Sequence, residues 1–147
     1  MSREEVAALV ASLVPSQNLL YAIRLIGSFD IVRTRTVARQ DPPYRPLIEV
    51  TRGEQVRQWV NISGTIAGFR TPAYERGIGV PGGHVRFIDD ARQGGGHVLD
   101  FTTRRASLEL CVGTDLHLAL PLTRAFARAD LAGRDIDREV EATERHR

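Results

Sequence analysis

Two of the four histidines in this 147-residue chain lie in one glycine-rich stretch, residues 82–101, GGHVRFIDDARQGGGHVLDF. Imidazole titrates near neutral pH and serves as metal ligand, general base or general acid, so His84 and His97 are the first candidates for chemistry. The stretch alternates on either side of a polar turn. Val85, Phe87 and Asp89 fall on one face of a first strand, and His84, Arg86 and Ile88 on the other. Residues 89–95 make the turn, and residues 96–101 return as a second strand. A hairpin folded about Asp90 and Ala91 places His84 opposite His97, with Cβ atoms about 5 Å apart. Two imidazoles at that spacing can share one metal ion or one ligand. A hairpin carrying two half-buried structural histidines accounts for the same residues.

The elements that must position this hairpin are short and mostly extended. Ser2-Arg3-Glu4-Glu5 has the pattern of a capping box, and Val6, Leu9, Val10 and Leu13 follow at helical spacing, with Pro15 setting the end. Residues 19–27 are almost continuously apolar and are expected to form a strand. Residues 28–40 alternate, with Arg33 and Arg35 sharing one face. Such a pair is either solvated or directed into a cavity, where a guanidinium can hold a carboxylate in a two-point fork. Residues 47–54 suit a short helix. Residues 56–68 suit two short strands with Gly64 at the bend, after which residues 69–74 leave the sheet as a loop. Residues 106–112 and 115–120 are expected to pair about Gly113-Thr114, with His117 a satisfied structural histidine among leucines, and residues 135–146 to form a charged C-terminal helix. Many short strands with little helix indicate a mainly β, α+β domain: a single barrel-like unit over residues 1–147 with a helix near each end.

Composition excludes several classes of function. All 20 basic side chains are arginine, so no lysine Schiff base can form and no P-loop is present. Net charge is +2, with arginines and acids interspersed, so neither nucleic acid nor a membrane surface is expected as a partner. No apolar run is long enough to span a bilayer. The N-terminal stretch lacks the build of a signal peptide, and one cysteine, Cys111, suits a reducing compartment, so a cytoplasmic location is expected.

The hairpin resembles the metal-site hairpin of the acetolactate decarboxylases, V-P-G-x-H-x-H-F followed by a turn and G-G-H-V-L-D. Here it reads Val80-Pro81-Gly82-Gly83-His84-Val85-Arg86-Phe87 and Gly95-Gly96-His97-Val98-Leu99-Asp100. Further stretches are similar to family segments in the same order. They are LVPSQNLLYAIR at residues 13–24, VRTRTV at 32–37 with Gln40 and Pro43-Tyr44, GTIAGFRTPAY at 64–74, and EVEATE at 139–144. The resemblance implies the family fold, here without the N-terminal domain that carries a sheet and a catalytic glutamate. It also implies decarboxylation of 2-acetolactate to acetoin with zinc as Lewis acid. By the family pattern His84, His97 and Glu144 would be zinc ligands and Arg35 would stand beside the substrate. Arg86 occupies the position of the family's remaining zinc histidine.

Arginine cannot ligate a cation, and its fixed charge opposes one nearby. The leading expectation is therefore a repurposed enzyme of this family that binds no cofactor. It would use Arg35, His84, Arg86, His97 and Glu144 for metal-free proton transfer, cyclisation or decarboxylation of a dicarbonyl or polyketide-like small molecule. The alternative is zinc-dependent acetolactate decarboxylation with zinc on His84, His97 and Glu144. A third reading is a non-catalytic module completed by a partner chain. A homodimer is expected in each case, because a sheet stripped of its covering domain should not stay bare.

Overall fold

A computed structural model describes residues 1–43, 45, 49 and 55–129. The elements run α1 (Arg3–Leu13), β1 (Leu20–Thr36), β2 (Gln55–Thr71), a 3-10 turn (Ala73–Glu75), β3 (Gly82–Asp89), β4 (Gly95–Gly113) and α2 (Arg124–Arg128). The four strands are antiparallel and close on themselves in the order β1-β2-β3-β4, with β4 returning to β1. The mainly β architecture read from the sequence is the one observed. The helices expected over residues 47–54 (apart from Glu49) and 135–146 fall outside the described residues, as does Glu144.

The strands are longer than the sequence suggests. The two segments expected over residues 19–40 are one strand of 17 residues, and so are the two expected over residues 56–68. The expected loop at residues 69–74 gives its first three residues to β2. Glycine at these points does not end a strand; it lets two backbones approach. A Cβ at Gly27 would collide with the backbone of Arg105 and Ala106, and one at Gly68 with the backbone of His84 and Val85. These contacts allow long strands to coil tightly enough for four to close a barrel. Gly113 likewise ends β4 rather than turning it into a hairpin. The partner strand expected at residues 115–120 is absent, and His117 is exposed.

The barrel interior is filled by inward residues from every strand: Leu25, Phe29, Val32, Trp59, Ile66, Phe87, Val98 and Phe101. Phe29 meets Phe87 and Phe101 edge-on at 6.0 and 6.1 Å between ring centres, and Trp59 meets Phe87 at 5.7 Å. This edge-to-face arrangement suits aromatic quadrupoles. Trp59 Nε1 donates to Thr34 Oγ1 at 3.0 Å, so the buried indole N–H is satisfied. Helix α1 closes one side with Val6 and Val10. Its capping box forms as expected: Ser2 Oγ accepts from the Glu5 N–H at 3.2 Å, and Glu5 Oε2 accepts from the Ser2 N–H at 2.6 Å.

Two changes test this closure. Gly68→Ala should destabilise the fold by about 1–3 kcal/mol, because the added methyl meets backbone rather than a movable side chain. Thr34→Val should cost about 1–3 kcal/mol by leaving the Trp59 N–H unpaired in the core. Urea unfolding followed by Trp59 fluorescence measures both, and a loss under 0.5 kcal/mol on that scale for either would contradict the packing described.

Candidate functional site

Inward packing decides where the polar residues of β3 and β4 go. Val85 packs against the core, and Phe87 and Val98 are buried in it. Strand alternation then turns His84, Arg86 and His97 to the outer face of the barrel. The faces of β3 are those read from the sequence; the pairing differs. Arg86, not His84, lies directly opposite His97, and Phe87 pairs with Gly96 and Ile88 with Gly95. The turn is the cause. The Asp89 carboxylate accepts from the backbone N–H groups of Gln93 and Gly94 at 2.8 and 3.1 Å, and Arg92 takes φ +57°. The hairpin is therefore centred on Ala91-Arg92, one residue later than expected. That shift moves each partner by two positions and so preserves the face. His84 remains a diagonal neighbour of His97, with ring centres 5.7 Å apart and planes inclined by 49°.

Arg35 reaches the same place from β1, where it lies opposite His97 in register. It is buried, at 7% exposure, whereas Arg33 is exposed. The expected shared fate of the two arginines fails because of a bulge. β4 carries one extra residue, Leu99, between the partners of Arg33 and Thr34. Thr34 and Arg35 are both buried there, against the simple alternation. The Leu99 carbonyl accepts from Arg3 Nη1 at 2.6 Å, so the start of α1 is tied to the bulge beside the site. Arg3 has no sequence signal beyond its place in the capping box.

These cations act on His97. Its pKa is lowered from 6.5 to about 4, first by burial, then by the charges of Arg35, His84, Arg86 and Arg3. His97 is thus neutral at pH 7 and keeps a lone pair for a metal or a proton. Beyond His84 and Arg86 the outer face forms a groove of about 730 Å³ floored by Ala22, Ala67 and Gly68, with the exposed Arg24–Glu109 ion pair (2.5 Å) along it.

Comparison with known proteins places the chain. Residues 1–133 match the family model for alpha-acetolactate decarboxylase. The chain belongs to the alpha-acetolactate decarboxylase family. It is 41% identical over 144 residues to the alpha-acetolactate decarboxylase of Bacillus subtilis strain 168, covering 98% of this chain and 56% of that protein. It is 46% identical over 125 residues to that of Methylococcus capsulatus, covering 85% of this chain and 48% of the relative. The crystal structure of the B. subtilis protein superimposes with a TM-score of 0.91 over 98% of this chain and 62% of that one. A Staphylococcus aureus protein of unknown function, similar to alpha-acetolactate decarboxylase, gives the same TM-score at 32% identity. The chain spans about half the length of the curated relatives it matches. These relatives bear the name of a lyase family, and they support the decarboxylase alternative rather than the repurposed, metal-free reaction expected first.

The family implies zinc, and the described residues fit part of such a site. Two imidazoles on one tetrahedral zinc, at Zn–N of about 2.0–2.1 Å, have ring centres roughly 5 Å apart, close to the 5.7 Å found. His97 is already in the unprotonated form a ligand requires. Arg86 supplies no donor, and among the described residues no third His, Cys, Asp or Glu completes a set.

The His97 shift has a defined sign. Its folded pKa lies below its unfolded value, so the unfolded state binds the extra proton between these pH values and stability rises with pH. The contribution is complete above about pH 6.5 and is lost as pH falls toward 4. Urea titrations of metal-free protein from pH 7.5 to 4.5 should show a smaller acid loss in His97→Asn than in the parent; equal losses would contradict the shift.

Proposed function

We propose that this chain carries the metal-binding and carboxylate-orienting part of an acetolactate decarboxylase, acting on 2-acetolactate or a close 2-hydroxy-3-oxo acid. The observation that carries the reading is the imidazole pair beside a buried arginine, on a chain more than 40% identical to proteins of that name. In this reaction the bond between C2 and the carboxylate breaks and carbon dioxide leaves. The electron pair passes into the neighbouring carbonyl as an enediolate, and a proton then adds to carbon to give acetoin. Negative charge grows on oxygen, so stabilisation must be concentrated there. A zinc ion held by His84 and His97 would supply Lewis-acid polarisation of the substrate oxygens.

The remaining roles belong to the chain itself. Arg35, buried and opposite His97, can hold the substrate carboxylate through two parallel N–H donors, fixing the breaking bond relative to the carbonyl. Arg86, exposed and opposite His97 on the other flank, offers positive charge for the developing oxyanion where the family pattern has a ligand. This exchange weakens metal retention and leaves electrostatic stabilisation in place. His97 need only remain neutral, which its burial and the positive charges around it ensure. Glu144, by family pattern the carboxylate ligand, lies outside the described residues.

The test is metal content together with turnover. Protein purified without chelator and equilibrated with zinc should hold close to one zinc per chain. It should release carbon dioxide and acetoin from 2-acetolactate, and chelation should abolish both. Arg86→His should tighten zinc binding by about tenfold or more by adding a third imidazole. Arg35→Ala should lower kcat/KM by about a hundredfold while leaving zinc content unchanged. Zinc absent even at millimolar excess, with no turnover, would overturn the proposal.

A further inference from the structure

Arg3 stands at the head of the apolar stripe of α1. With Val6 and Val10 it recurs at i, i+3 and i+7, the spacing of one helix face, and both valines are buried in the core. A cation in the first turn opposes the helix dipole. On the face that packs against the barrel, however, it is placed to reach β4. Its Nη1 donates to the Leu99 carbonyl at 2.6 Å. The residues before it follow the same strand. The Thr103 N–H donates to the Met1 carbonyl at 2.8 Å, and Ser2 bridges Thr102 antiparallel. β3 pairs with β4 no further than Arg86–His97, so residues 1–3 run beside β4 just past the point where β3 leaves it.

Leu99 is the extra residue of the bulge, and the register of the site hangs on it. Arg33 pairs with Asp100 before the bulge; Thr34 pairs with Val98 and Arg35 with His97 after it. In an even register Thr34 would meet Leu99, and Arg35 would meet Val98, which is buried in the core. Residues directly opposite in a ladder share a face. The bulge therefore sets Arg35 against His97 rather than against the core. A bulged residue has no partner across the ladder, and a side-chain donor to its carbonyl stabilises the bulge over the even register.

We propose that Arg3 is a positioning residue of the site: by holding the Leu99 carbonyl it fixes the bulge that brings Arg35 opposite His97. Arg3 acts on substrate only through Arg35, so its role in the reaction rests on the reading of Arg35 as the group that holds the substrate carboxylate. The bond is charge-assisted, and the buried Val6 and Val10 fix the helix that carries it. Loss of the bond lets β4 relax toward the even register. Arg35 cannot follow into the apolar core without a partner for its charge. The end of β1 then opens and Arg35 becomes accessible, while Arg33, before the bulge, keeps its pairing with Asp100.

Phenylglyoxal labelling of the full 147-residue chain, read at each arginine by peptide mass spectrometry, measures this without turnover. Arg35 should react slowly in the parent, being 7% exposed. Arg3→Met keeps an aliphatic stem and removes the donors. It should label Arg35 about tenfold faster, the scale of one charge-assisted hydrogen bond, and leave Arg33 at the parent rate. Arg3→Lys should keep Arg35 slow, because an ammonium can donate to the same carbonyl. Glu5→Ala breaks the capping box without removing the Arg3 donors, and should label like the parent. An Arg35 rate unchanged in Arg3→Met, raised as much by Glu5→Ala, or as high in Arg3→Lys as in Arg3→Met would each overturn the proposal. With 2-acetolactate as substrate, Arg3→Met should lower kcat/KM by about tenfold, and the double variant with Arg35→Ala should be no slower than Arg35→Ala alone, because residues that act through one another are not additive. Additive losses would overturn the proposal. The expected labelling in a protein that does not turn over 2-acetolactate would support the hold of Arg3 on the bulge and overturn the decarboxylase reading instead.

Discussion

The constraint on which this structure depends is the closure of a barrel from the four described strands. With so few strands the interior is narrow, and each strand must commit one face to it. Phe87 and Val98 are the inward residues of the β3–β4 hairpin, and both are almost fully buried. Their burial holds His84, Arg86 and His97 on the opposite face, because a one-residue slip would put charged arginine among phenylalanines. The placing of these three side chains on one face is therefore a by-product of core packing.

The electrostatics of the face follow from the same geometry. Three arginines from three elements, Arg3 of α1, Arg35 of β1 and Arg86 of β3, bear on one imidazole of β4. Positive charge gathered in this way attracts an anion. A carboxylate held among these groups would be such an anion. The same charge opposes a divalent cation, and Arg86 sharpens this opposition by standing where the family pattern has a ligand.

Much of this was legible in the sequence. The capping box of α1, the inward and outward faces of β3, and the convergence of His84 and His97 follow from residue types and period alone. The pairing across the hairpin did not, because it turns on how Asp89 binds the backbone of Gln93 and Gly94 and on the left-handed conformation of Arg92. The burial of Arg35 was equally hidden. It arises from an extra residue, Leu99, on a strand about sixty positions away, and alternation within β1 carries no trace of it. Strand lengths were underestimated because Gly27 and Gly64 read as breaks, whereas tertiary packing uses glycine there to let neighbouring backbones approach. Glu144 rests on family pattern alone.

The proposed zinc site requires the hairpin register to deliver two imidazoles to one ion. Pulsed electron paramagnetic resonance of the protein loaded with one equivalent of Cu²⁺ counts coordinated imidazoles directly, without depending on turnover. Two are expected, falling to one in His84→Asn and to one in His97→Asn. One or no imidazole in the parent protein, or two that survive either substitution, would contradict it.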